Sequence, residues 1–82
     1  MEVIVTPEAK KQYTKLPQTE KKKIIKKLEA LETNPLLGKR LAGEFVGLRS
    51  IKAWPYRIIY IIKEKQKEIW VVSILHRQKA YK

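Results

Sequence analysis

The sequence predicts an α+β fold of order β-α-α-β-β-β: a helical hairpin packed on one face of a mainly antiparallel, four-stranded sheet. Three observations carry this. A β-branched opening, Val3-Ile4-Val5, precedes a helix-start signal at Thr6-Pro7-Glu8. Two segments with helical apolar spacing follow, separated only by Pro17. Then three apolar runs are joined by connections too short for anything but antiparallel neighbours.

The first strand is Met1 to Val5. Thr6 caps a short helix with Ala9, Tyr13 and Leu16 on one side. A second helix is predicted from Gln18 to Thr33. Ile24, Ile25, Leu28 and Leu31 form its apolar side, Lys21, Lys22, Lys23, Lys26 and Lys27 the other, and Asn34-Pro35 ends it. The three later strands are Leu48 to Ala53, Tyr56 to Lys63 and Glu68 to Leu75, turning at Trp54-Pro55 and at Lys65-Gln66-Lys67. "RIIYII" and "IWVVSIL" are apolar on both faces, as in strands covered on both sides. Two adjacent helices cover one face. Part of the other is therefore expected to be an apolar surface for a partner, the alternative being a cover of Lys and Arg stems and Trp rings.

The 82 residues read as one domain, 1–82. There is no cysteine and no Cys/His cluster, so disulfides and a structural zinc are excluded and no metal or cofactor is expected. No long apolar stretch suggests a leader or a membrane span, so the expected setting is cytoplasmic. Nineteen Lys and Arg against eight Asp and Glu give +11. Such self-repulsion in a small domain points to a polyanionic partner, nucleic acid first.

Strict alternation puts Arg57 on a face with Ile59 and Ile61, and Arg77 with Val71, Ser73 and Leu75. His76 falls with Trp70, Val72 and Ile74. Arg57 starts one strand and Arg77 ends its neighbour, so the two are expected opposite each other, with Lys52 at the same end and Tyr81 joining if the tail folds back. Two guanidiniums side by side need an anion between them, and a phosphodiester suits them. His76 is the one side chain with an ordinary pKa near neutrality, and so a candidate proton carrier. Tyr81 is a candidate base-stacking group. Lys22, Lys26, Arg49 and Lys79 are further candidate RNA contacts.

The element order, with "YRIIYII" followed by "VVSILHRQKAY", resembles the RelE/ParE superfamily of toxins from bacterial and archaeal toxin–antitoxin modules. "LPQTEKKKIIKKLEAL" and "RLAGEFVGLRSIK" extend the likeness over essentially the whole chain. The resemblance implies a toxin that inhibits translation as a ribosome-dependent, metal-independent mRNA endoribonuclease. By position, Arg57 and Arg77 match the family's two arginines, Tyr81 its C-terminal tyrosine, and Lys52 a basic strand position; Arg49 matches loosely. Leu48 and Ser50 stand where RelE carries lysines, which leaves the general base open between His76 and Lys52, with Glu44 a remote candidate. The resemblance also implies a cognate antitoxin, short and acidic in its toxin-binding segment. The alternatives are a ParE-like inhibitor of DNA gyrase and a degenerate, non-catalytic nucleic-acid-binding homologue.

Overall fold

A computed structural model describes residues 1–41 and 47–76. β1 (Glu2–Val5) leads into α1 (Pro7–Thr14) and α2 (Gln18–Thr33). A 3-10 turn (Pro35–Leu37) enters β2 (Lys39–Arg40), and β3 (Arg49–Ala53), β4 (Tyr56–Lys63) and β5 (Glu68–His76) follow. Among the described residues the sheet has five strands in the order β1-β5-β4-β3-β2, one more than expected. The added strand is β2, which pairs only Lys39 with Ser50 and Arg40 with Arg49. β1 runs parallel to β5, and the other pairs are antiparallel.

Thr6 both starts α1 and ties it to the sheet. Its Oγ1 accepts from the Ala9 N–H at 3.4 Å and donates to the Val71 carbonyl at 2.9 Å, while its own N–H reaches the same carbonyl at 3.1 Å. Pro7 occupies the first helical turn, where a missing N–H costs nothing. α2 buries Ile24 and Leu31, seven residues apart on one stripe. These meet Ala9, Ile58, Tyr60, Ile69, Val71 and Ile74 in one core, with Val3, Tyr13 and Leu28 packed against it.

β5 breaks strict alternation. Ile59 pairs with Ser73 but Tyr60 pairs with Val71, leaving Val72 as the extra residue of a β-bulge. Val71 and Ile74 both reach the core as a result. His76 therefore shares the helix-side face with Ile74 and Tyr56, and not with Trp70 as strict alternation predicts. β1 ends opposite Val71, and α1 takes over along this edge: Gln12 Oε1 accepts the Ile74 N–H at 2.6 Å and Glu8 Oε2 accepts from Ser73 Oγ at 3.1 Å.

The sheet face away from the helices is less bare than expected. Ile59 is 5% exposed. Trp70 is half-exposed, with the Lys63 ammonium 5.3 Å from its ring centre and its Nε1–H bonded to Glu68 at 3.0 Å. A lysine stem over an indole thus covers part of this face. Val5 and Ile25, both exposed, instead line an apolar groove of about 350 Å³ on the helical side with Lys10, Tyr13, Leu28 and Ile74.

Candidate nucleic-acid interface

β2 pairs with β3 as far as Ser50, and among the described residues no strand pairs with that edge of β3 beyond it. A groove of about 450 Å³ lies along that edge. It is lined by Lys27 and Ala30 of α2, Leu37 of the 3-10 turn, Lys39, Arg40 and Leu41, and by Ser50, Ile51, Lys52 and Arg57 of β3 and β4. Five of these ten described lining residues are cationic and none is acidic. Lys52 and Arg57 are direct cross-strand partners, and like charges in that position repel. An anion between them removes the repulsion.

Ser50 adds a second mark of a ligand. Its residue is 6% exposed, and its Oγ has no hydrogen-bond partner among the described residues. Buried hydroxyls are nearly always bonded. Ser50 lines the groove beside Lys39, its strand partner.

The wall that carries Lys39 and Arg40 is held by a buried network. Tyr60 donates its hydroxyl to the Pro35 carbonyl at 2.8 Å and accepts the Gly38 N–H at 2.9 Å. Arg49 Nη1 donates to the Gly38 carbonyl at 2.9 Å. A side chain at position 38 would bring a Cβ within 2.5 Å of the Tyr60 oxygen and 2.8 Å of the Ser50 carbonyl, so only glycine permits this approach. Burial raises the Tyr60 phenol above its ordinary pKa, opposed by the Gly38 N–H and the Arg49 charge.

The structure brings Lys52 and Arg57 together, as expected. Arg57 faces Leu75 in the β4–β5 register, however, so the expected position directly opposite Arg77 is corrected. Arg77, Lys79 and Tyr81, with Glu44, lie outside the described residues. His76 reaches the same end of the sheet but the helix-side face, edge-on to the Tyr56 ring at 5.5 Å between centres. Arg49 belongs to the Tyr60 network and does not line the groove. Lys22 and Lys26 line a separate shallow depression with Tyr13, Gln18, Lys21 and Ile25. The sequence reading missed Lys27, Lys39 and Arg40. The only cue to the last two is the pair of cations directly after Gly38, in a segment too short for any periodicity.

Among the described residues, no three His, Cys, Asp or Glu side chains cluster to hold a metal, and no helix is long and apolar enough to cross a membrane.

A family model described as the ParE toxin of the type II toxin–antitoxin system parDE matches residues 3–81. Among solved structures, the toxin–antitoxin complex RelBE2 from Mycobacterium tuberculosis is 27% identical, with a TM-score of 0.86 over 93% of this chain and 96% of that one. The archaeal RelE–RelB complex from Pyrococcus horikoshii OT3 is 23% identical, with a TM-score of 0.81 over 96% and 97%. The YoeB/ParE toxin from Agrobacterium tumefaciens is 17% identical, with a TM-score of 0.81 over 93% and 98%. A search of curated proteins finds no match.

Proposed function

This chain belongs to the ParE toxin family, within the RelE/ParE superfamily of type II toxins, and from that premise we propose that it is a ribosome-dependent mRNA endoribonuclease. The observation that supports this most is the groove: among its described lining residues are five cations, no acid, and Ser50, whose hydroxyl has no partner among the described residues. Those are the parts needed to hold a phosphodiester and to stabilise charge as it develops.

In the proposed reaction the RNA 2′-oxygen attacks the adjacent phosphorus and the bond from phosphorus to the 5′-oxygen breaks. The products are a 2′,3′-cyclic phosphate and a 5′-hydroxyl. The 2′-OH gives up a proton and the leaving 5′-oxygen gains one. Arg57 and Lys52 hold the non-bridging oxygens and offset the charge of the phosphorane. Arg77 and Tyr81 enter this reading through the family resemblance alone. His76, on the opposite face from Arg57, is the weaker candidate for the base; Lys52 is on the groove itself.

The test adds purified protein to translating ribosomes and maps mRNA 5′ ends. New ends are expected with the native chain, and a loss of at least about 100-fold in cleavage rate with Arg57→Ala, for a group stabilising transition-state charge. No cleavage by the native chain overturns the reading.

The family model supports a second reading, inhibition of DNA gyrase. A supercoiling assay separates the two, since a gyrase inhibitor blocks supercoiling and leaves mRNA on ribosomes intact. Either toxin needs restraint, and the similar structures include RelBE and YoeB–YefM toxin–antitoxin complexes. An antitoxin with an acidic, amphipathic segment would match the Val5–Tyr13–Ile25–Leu28 groove beside Lys10.

A further inference from the structure

We propose that Trp54 is a stacking platform for a nucleobase of single-stranded RNA, beside the phosphate held by Lys52 and Arg57; this deepens the RNA reading of the groove and rests on it. Trp54 occupies the two-residue connection between β3 and β4 and is 61% exposed. An exposed indole offers a flat, apolar π face to a ligand.

The connection holds the backbone beneath the ring in place. Ala53 and Tyr56 pair directly on either side of it; Ala53 is in the core and Tyr56 packs against it. Lys23 of α2 donates to the Trp54 carbonyl at 3.5 Å. Lys52 lies two residues before the indole and Arg57 three after, and the two are cross-strand partners. At about 3.3 Å of rise per strand residue, the Trp54 backbone is about 7 Å along the chain from that of Lys52. A phosphate on the cation pair therefore brings its own or the next base to the indole.

This pairing of a π surface with cations is the chemistry of single-strand recognition. Phosphate contacts supply salt-dependent affinity, and stacking supplies a contact open to every base.

The experiment uses the full chain carrying Trp70→Phe, so that fluorescence reports Trp54 alone. It is titrated with a short oligoadenylate and with an abasic ribose-phosphate strand of equal length and charge. Oligoadenylate should quench the indole, and the abasic strand should not. Trp54→Ala should bind oligoadenylate about 10- to 100-fold more weakly, with abasic affinity and the slope of log affinity against log salt unchanged. Trp54→Phe should recover most of the loss. Lys52→Ala should weaken both strands and lower the salt slope by about one.

The proposal is overturned if Trp54→Ala binds oligoadenylate like its parent, or loses both strands equally. It is also overturned if the variant keeps RNA affinity but loses an acidic peptide, which would assign the indole to a protein interface. A native chain that binds neither strand removes the RNA reading as well. One that binds and stacks but cuts nothing on ribosomes removes only the cleavage.

Discussion

Ser50 and Tyr60 sit on neighbouring strands yet treat their hydroxyls in opposite ways. The Tyr60 oxygen both donates and accepts, while the Ser50 oxygen does neither among the described residues. A buried hydroxyl without a partner costs on the order of 1–3 kcal/mol relative to a bonded one. Ser50→Ala should therefore raise stability by about 1 kcal/mol in denaturant melts and weaken single-stranded RNA binding. A variant that loses stability would show that the hydroxyl is satisfied within the fold. Tyr60→Phe should do the reverse of Ser50→Ala in melts. It leaves the buried Gly38 N–H without its acceptor and should cost about 1–3 kcal/mol. Tyr60 also gives the fold a sign in alkali. Its folded pKa is raised, so the unfolded chain loses this proton first as pH climbs. The contribution is complete below the ordinary phenol pKa of about 10 and is lost as pH rises through the folded value. Alkaline melts should show that loss in the native chain, and a smaller one in Tyr60→Phe. Neither role was legible in the sequence. "RIIYII" marks Tyr60 only as a strand residue, and its partners Pro35 and Gly38 lie over twenty positions away.

At the scale of elements, legibility followed the range of the forces involved. α2 was readable to the residue, Gln18–Thr33, because its apolar stripe and its Pro17 and Asn34-Pro35 boundaries are local signals. β4 was readable for the same reason. β2 was not, since two residues carry no period and its existence depends on β3. The bulge in β5 was hidden because "IWVVSIL" has no polar alternation from which a phase shift would show. That bulge decides that His76 shares its face with Tyr56 and the core, and no longer with Trp70. α1 anchors the bulge, and Gln12→Ala should expose the cost. It strands the Ile74 N–H and should destabilise the fold by about 1–2 kcal/mol, whereas Gln12→Glu keeps an acceptor and should lose less. Protection of the Ile74 amide in hydrogen exchange checks this directly. The β4–β5 turn offers a gain instead. Lys67 has φ +57, in the left-handed region that side chains disfavour by about 1–2 kcal/mol. Lys67→Gly removes that strain but gives the unfolded chain more freedom, so stability should rise by about 0.5–1 kcal/mol.

Across the whole molecule, the charge of +11 acts on folding and on binding with opposite signs. Lys27, Lys39, Arg40, Lys52 and Arg57 crowd one groove, and Lys10, Lys21, Lys22 and Lys26 line depressions elsewhere on the helices. Each repels the others through solvent over a Debye length of about 10 Å at 0.1 M salt and about 30 Å at 0.01 M. Raising salt from about 0.01 to 0.3 M should therefore raise the melting temperature of the free protein, because screening relieves self-repulsion in the compact state. The same change should weaken RNA binding steeply, since each phosphate contact releases condensed counterions. At low salt, saturating single-stranded RNA should restore the stability that the bare protein lacks, by binding only the folded state. Reversing the groove alone, with Lys39→Glu and Arg40→Glu, lowers the formal charge by four. It should raise the low-salt melting temperature while removing most of the RNA affinity. A melting temperature that is flat with salt, or an affinity that survives the two substitutions, would mean that the basic charge is dispersed over the surface and that the groove does not concentrate it.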